Sequence, residues 1–157
     1  MTTEIERKFL VTGADWQNAD PVYYCQGYLS RDKLRTVRVR IAGDRGFLTV
    51  KGLTRGACRA EFEYAIPLAD ARSLLLLCDG PTVEKYRRVI PHAGLDWEVD
   101  EFLGENAGLV IAEVELESED QEIIRPDWVG AEVTNDPRYY NANLAGTPYR
   151  LWAETDT

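Results

Sequence analysis

The chain has one histidine, His92, which lies beside Pro91 in an expected turn. That scarcity excludes a histidine catalytic dyad and a histidine-rich metal centre. Cysteine is also sparse: Cys25, Cys58 and Cys78 are odd in number and widely spaced, with no C-x-x-C pair. They do not form a disulfide frame or a zinc motif and read as free thiols in a reducing cytoplasm. The chain lacks an apolar run long enough to cross a membrane as a helix, and a signal peptide is not expected before its charged first segment. Positive charge is in deficit. Eighteen Lys and Arg face 27 Asp and Glu, for a formal net charge of −9. A general nucleic-acid or anionic-membrane binder needs the opposite balance, so neither partner is expected. Repeats and low-complexity tracts are missing too, and 157 residues fit a single domain, 1–157, with a sizeable core.

What the chain does have is strands. The first, Thr3–Val11, places Glu4, Glu6 and Lys8 on one face and Ile5, Arg7, Phe9 and Val11 on the other. Further strands are expected at Val22–Ser30, Leu34–Ala42, Gly46–Gly52, Cys58–Ile66, Thr82–Ile90, Leu95–Phe102 and Leu109–Glu117. Pro67–Leu77 reads as a helix that Asp79-Gly80-Pro81 stops. Ser118–Glu122 reads as a helix start ended by Pro126. Trp128–Val133 reads as an apolar connector, and Thr134–Ala145 as a last helix before an irregular tail. The class is therefore α+β, mainly β: an antiparallel eight-stranded sheet closed into a barrel so that no edge stays bare, with flanking helices.

The ionisable residues keep the strand period. Arg38 and Arg40 share a face, as do Thr49 and Lys51, then Arg59, Glu61 and Glu63. Lys85 and Arg87 follow, then Asp96, Glu98 and Asp100, then Glu113, Glu115 and Glu117. The remaining strand offers Tyr24, Gln26 and Tyr28 on its polar face. A solvated outer face is the ordinary explanation for one such row. Two facts oppose it for the set. The signs mostly segregate by strand, whereas solvated faces mix them. The apolar faces also need cover, which turns the charged faces inward. A lumen with a basic wall grips a polyanion through charge-assisted hydrogen bonds, and an acidic wall holds a hard cation such as Mg²⁺ or Mn²⁺ that bridges to the same anion. Tyr86 and Phe62 fall on the outer face and call for cover, by helices or by a second copy in a homodimer.

This ordered set resembles the CYTH superfamily, the triphosphate tunnel metalloenzymes, in its short bacterial form. Glu4-x-Glu6-x-Lys8 looks like the ExExK signature. Arg38-x-Arg40, Lys51, Glu61-x-Glu63, Glu84-Lys85-Tyr86-Arg87, Glu98-x-Asp100, Glu113-Val114-Glu115 and the ending Glu132–Ala145 follow in the family's order. The resemblance implies an eight-stranded tunnel that binds triphosphate through Lys8, Arg38, Arg40, Lys51, Lys85 and Arg87. It implies divalent metal or water held by Glu4, Glu6 and Glu115, with Glu61, Glu63, Asp100 and Glu113 nearby, and a C-terminal helix across one mouth. Tyr28 matches a tunnel tyrosine near the first-strand lysine. Lys8, Tyr28, Lys85 and Glu115 are the expected catalytic residues.

The expected activity is Mg²⁺- or Mn²⁺-dependent hydrolysis of inorganic tripolyphosphate to phosphate and pyrophosphate. An adenylate cyclase of the same fold ranks second, because no His-Phe element follows the class IV pattern; Ala93 follows His92. Thiamine triphosphatase is a further option, with Trp16, Trp97, Trp128 or Trp152 available for stacking. A non-catalytic polyphosphate- or nucleotide-binding module ranks below these, because the acidic residues are present.

Overall fold

The computed structural model describes residues 2–152. Eight strands close into a ring: β1 (Thr2–Val11), β2 (Val22–Ser30), β3 (Arg35–Ala42), β4 (Arg45–Gly52), β5 (Cys58–Ile66), β6 (Asp79–His92), β7 (Leu95–Phe102) and β8 (Val110–Glu115). All pairings are antiparallel, in the spatial order β5-β4-β3-β2-β6-β7-β8-β1, and β1 returns to β5 to close the circle. β1 is shared lengthwise. Its first residues pair with β5 (Glu4 opposite Arg59), and its later ones with β8 (Glu6 opposite Glu115, Lys8 opposite Glu113). Where β5 leaves, a ninth strand, β9 (Val129–Glu132), takes the vacated edge.

Alternation along these strands inverts the usual core. Lys8, Arg38, Lys51, Arg87, Glu4 and Glu113 are buried, while Tyr64 and Val89 are more than half exposed. Each inward row also changes character along its length. Glu4, Glu6 and Lys8 give way to Leu10; Glu98 and Asp100 to Phe102; Arg87 and Lys85 to Val83; Glu113 to Ile111. The ionic positions stack at one level and the apolar ones at another. Tyr28, Val83, Phe102, Leu109 and Ile111 thus form a core inside that end, completed by Tyr139, Leu144, Ala145 and Trp152. Those last residues belong to the C-terminal segment around α2 (Asn141–Gly146), which closes this end.

A second core lies outside the wall of β1, β7 and β8, where Phe9, Trp97, Val99, Ala112 and Val114 pack with Trp16, Ile123 and Trp128. Trp97 is fully buried, its ring 5.5 Å from Phe9 and 6.0 Å from Trp128. Truncating such a residue to Ala costs about 3–5 kcal/mol. Helix α1 (Leu68–Leu75) covers β2, β3 and β4 instead. Its approach requires glycine: a Cβ on Gly46 would sit 2.7 Å from Ala71 Cβ, and one on Gly27 would sit 2.9 Å from Cys78 Cβ. Phe62, Tyr64, Tyr23 and Tyr86 remain exposed on the outer wall.

Four expectations change. Residues 118–125 form no helix: the stretch before Pro126 is too short to repay nucleation and carries Glu117, Glu119, Asp120 and Glu122 in close succession. Gln121 instead accepts the Glu117 N–H at 2.7 Å. The 128–133 connector is strand β9, because Arg7 clasps Glu132 at 2.6 and 2.9 Å and the Val133 N–H donates to Lys8 O. The last helix is interrupted. A 3-10 turn at Pro137–Tyr139 is capped by Asp136, which accepts the Arg138 N–H; Tyr140 is then extended, and only six residues form α2. Asp79-Gly80-Pro81 lies within β6 and is not a helix stop. The end of the irregular tail, 153–157, lies outside the described residues.

Candidate active site

The ionic level of the barrel surrounds a cavity of about 600 Å³. Five of the expected cationic residues line it: Lys8, Arg38, Arg40, Lys51 and Arg87. So do six expected acids: Glu4, Glu6, Glu61, Glu63, Glu113 and Glu115. The strand register places them. Arg38 sits opposite Thr49 and Tyr28; Lys51 opposite Glu61 and Thr36; Thr49 opposite Glu63. Tyr28 also lines the cavity, at its apolar end. Lys85 and Asp100 do not line it. Both are fully buried behind the lining and joined at 2.7 Å.

Ion pairing differs sharply around the cavity. Arg87 makes a two-pronged contact with Asp100 at 2.7 and 2.8 Å and reaches Glu98 at 2.6 Å. Burial raises the Asp100 carboxyl, but Arg87 and Lys85 outweigh it and hold it near 2. Burial depresses Lys85 to about 7, only partly offset by Asp100, which Arg87 already engages. Lys8 donates to Glu113 at 2.8 Å and lies 3.4 Å from Glu6. Burial lowers Lys8, yet Glu113 and Glu6 more than restore it.

Other charges are left over. Glu4 Oε2 lies 2.7 Å from Lys51 Nζ without hydrogen-bond geometry, and neither oxygen of Glu4 has a hydrogen bond among the described residues. Arg38 Nε is buried without an acceptor, although its Nη2 reaches Thr49 at 3.3 Å. Glu6 is pushed up to about 7 by burial first and Glu113 second. Glu115, its partner across the ladder, is raised by burial and then by Glu4 and Glu98. Like charges placed directly opposite repel. On the other wall, burial and then Arg38 and Arg87 draw Arg40 down to about 9. Negative charge gathers on one wall and positive charge on the other. Ion pairs cross between them, Lys51 to Glu4 and Arg38 to Glu63 at 3.7 Å, yet the Glu4 oxygens and Arg38 Nε keep no hydrogen bond among the described residues.

These leftovers test the fit of a cation. Among the described residues, no three acids converge into a ready-made ligand set. The donor chemistry nonetheless suits a hard divalent ion, since Glu4 presents two buried, unbonded oxygens and Glu6 and Glu115 repel one another beside it. Asp100 is committed to Lys85 and Arg87, so the metal-ligand role expected for it does not fit.

Several lining or supporting residues lay outside the expected set. Glu98 and Thr49 were legible as in-phase neighbours of Asp100 and Lys51. Thr134 and Asn141 come from the irregular C-terminal segment, where no period marks them. Thr134 Oγ1 accepts the Lys8 N–H at 3.0 Å and donates to Glu132 at 2.6 Å, tying the first strand to β9 at the lysine. None of the four tryptophans lines the cavity. Trp16, Trp97 and Trp128 belong to the outer core and Trp152 to the closed end, so none is placed to stack on a bound base.

A closed antiparallel barrel with this ionic lumen matches a known family. The chain belongs to the CYTH domain family, whose model matches residues 2–145. It is 51% identical over 156 residues to an inorganic triphosphatase of Acetivibrio thermocellus, covering 98% of this chain and all of that one. It is 40% identical over 149 residues to an inorganic triphosphatase of Nitrosomonas europaea, covering 91% and 97%. A crystal structure of an inorganic triphosphatase superposes with a TM-score of 0.66 at 36% identity, over 90% of this chain and 96% of the other. Membership of this family implies a divalent metal. No helix among the described residues is long and apolar enough to cross a membrane.

Proposed function

We propose that this chain is an inorganic triphosphatase that uses Mg²⁺ or Mn²⁺ to hydrolyse tripolyphosphate to phosphate and pyrophosphate. One observation carries the reading: a single cavity holds an unbonded buried guanidinium donor, Arg38 Nε, and unbonded buried carboxylate oxygens, those of Glu4. An anion that brings its own cation satisfies both at once. The relatives named inorganic triphosphatase support the same choice.

Arg38, Arg40 and Lys51 hold phosphate oxygens from one side, and Lys8 and Arg87 from the other. Glu4, Glu6 and Glu115 hold the cation, with Glu113 and the outer acids Glu61 and Glu63 around them. When bound, the cation neutralises phosphate charge and offsets the charge that develops on the leaving oxygen. Lys8, which donates to Glu113 at 2.8 Å, would be free to donate to a phosphate oxygen wherever that carboxylate is engaged elsewhere. Glu115, at the mouth, orients the attacking water. Tyr28 bounds the pocket at its apolar end. Lys85 acts from behind the lining.

A reducing cytoplasm fits the free Cys25, Cys58 and Cys78. The exposed Phe62, Tyr64 and Tyr86 fit a homodimer across the outer wall. Residues 1–157 form one domain in this reading.

Phosphate release from tripolyphosphate, ATP and thiamine triphosphate, with Mg²⁺, with Mn²⁺ and with EDTA, tests it. Fastest turnover of tripolyphosphate, abolished by EDTA, is the expected result. Turnover unaffected by EDTA overturns the metal assignment, ATP or thiamine triphosphate as the faster substrate overturns the substrate, and binding without turnover makes the protein a binding module.

A further inference from the structure

A chain of amides connects the closed end of the barrel to its phosphate-facing wall. Arg40 Nε donates to Gln26 Oε1 at 3.0 Å. Gln26 Nε2 donates to Asn141 Oδ1 at 3.0 Å. Lys85 Nζ donates to the same Asn141 Oδ1 at 3.2 Å. Gln26 is fully buried between the two walls, and Asn141, the first residue of α2, lines the cavity.

The orientation of both amides follows from the chemistry of the first donor. A guanidinium has no lone pair to offer, so Gln26 must turn its oxygen to Arg40 and its nitrogen to Asn141. Asn141 must then turn its oxygen inward to Gln26, where Lys85 meets it as well. Its Nδ2 is what remains. That nitrogen makes no hydrogen bond among the described residues and is not sealed from the cavity.

We propose that Asn141 is a substrate-contacting residue: its Nδ2 donates to a phosphate oxygen at the closed end of the cavity, and Gln26 is the positioning residue that fixes the amide in that sense. The inference rests on the triphosphatase reading and adds a neutral donor to it. A neutral amide there extends the phosphate contacts without adding another cation to a wall where Arg38, Arg40 and Arg87 already crowd one another. It also makes the C-terminal segment part of the binding surface as well as a plug, because α2 reaches the substrate only when the barrel end is closed.

Three substitutions separate contact from scaffolding. Asn141→Asp keeps the shape and the acceptor for Gln26 and Lys85 but turns a carboxylate oxygen toward the phosphate. Asn141→Ala removes acceptor and donor together. Gln26→Glu leaves the cavity lining unchanged but offers Asn141 an acceptor where it had a donor, so the Asn141 amide is drawn round and its oxygen faces the substrate. Tripolyphosphate affinity is read by titration calorimetry in EDTA, which stops turnover, and folding is read by thermal melting. The expected order is a loss of about tenfold for Asn141→Ala and Gln26→Glu and about a hundredfold for Asn141→Asp, because a hydrogen bond to a charged group is replaced by repulsion in the last case. If the role is only structural, the order reverses: Asn141→Asp binds like the wild type and Asn141→Ala binds worst, which overturns the proposal. If Asn141→Asp does not fold, Gln26→Glu is compared with and without Asn141→Ala, because the new carboxylate also meets Arg40: a larger loss with Asn141 present supports the proposal, and an equal loss in both backgrounds overturns it. Wild-type protein that binds tripolyphosphate in EDTA yet never hydrolyses it with metal sinks the triphosphatase reading alone, since the order of affinities still decides the role of Asn141.

Discussion

The two ion clusters in the barrel are built from the same residue types and differ in completeness. Around Asp100, both carboxylate oxygens are engaged by Arg87 and Lys85, no water-facing surface remains, and the acid is held near 2. Around Glu4 and Arg38, buried oxygens and a buried guanidinium nitrogen are left without hydrogen bonds, and Glu6 rises to about 7. Unpaired buried charge is costly, and a fold keeps it where a ligand supplies the missing partner. The sealed Lys85–Asp100 pair has the character of scaffold, the cluster with unbonded atoms that of the proposed binding surface, and Arg87, which pairs with Asp100 and lines the cavity, joins the two. Lys85 belongs with the first and touches the second only through Asn141.

The comparison breaks most visibly at Asp100. Asp100→Ala strands Lys85 in a sealed site and takes from Arg87 its two-pronged partner, leaving it Glu98, and is expected to cost about 3–5 kcal/mol of folding stability, measured by urea unfolding. Arg38→Ala gives the converse. Its kcat/KM for tripolyphosphate is expected to fall by about 2–4 kcal/mol of transition-state stabilisation, roughly 30- to 1,000-fold. Its unfolding free energy, measured in urea, should stay within about 0.5 kcal/mol of the wild type. If Arg38→Ala unfolds the protein and Asp100→Ala leaves it stable, the two clusters have been assigned the wrong way round.

A smaller effect sharpens the same contrast. Saturating the wild type with magnesium and tripolyphosphate at 100 times the dissociation constant should stabilise it by about 2.7 kcal/mol, read as a raised melting temperature. The Asp100 cluster gains nothing from such a ligand, whereas the Glu4 and Arg38 groups gain their partners. The pH response of Glu6 probes the same cluster. Its carboxyl is raised in the folded state from the usual 4.5 to about 7, so folded protein binds the proton more tightly than unfolded. The stability it contributes is present below about 4.5 and is lost as the pH rises through about 7. Glu6→Gln should flatten that part of the stability–pH curve in EDTA and also abolish stabilisation by Mg²⁺. An unchanged slope would remove Glu6 from the uncompensated set.

The ring of strands was legible because charge and apolarity alternate at a period of two on seven of its eight strands, with signs mostly segregated by strand. The inward sense of Arg38, Arg40, Lys51 and Glu113 followed from that segregation, and that of Lys8 from the need to cover the apolar face of its strand. Less was legible where no period operates. Thr134 sits in a turn and Asn141 at the start of the short helix α2, and their contacts with Lys8 and Lys85 span 126 and 56 residues of sequence. β9 is too short to alternate convincingly, and its place depends on the Arg7–Glu132 pair. The withdrawal of Lys85 and Asp100 behind the lining was also hidden: both stand in phase with the cavity residues, and depth along the barrel is set by Tyr24, Phe102 and Asn141 crowding around the lysine.

Soaking magnesium and tripolyphosphate into crystals of the protein tests the central claim most directly. The account predicts the anion inside the barrel with an oxygen on Arg38 Nε and the cation on Glu4, while the Lys85–Asp100–Arg87 cluster stays as it is. Tripolyphosphate bound on the outer wall, or seated inside only after Asp100 has given up Arg87, contradicts it.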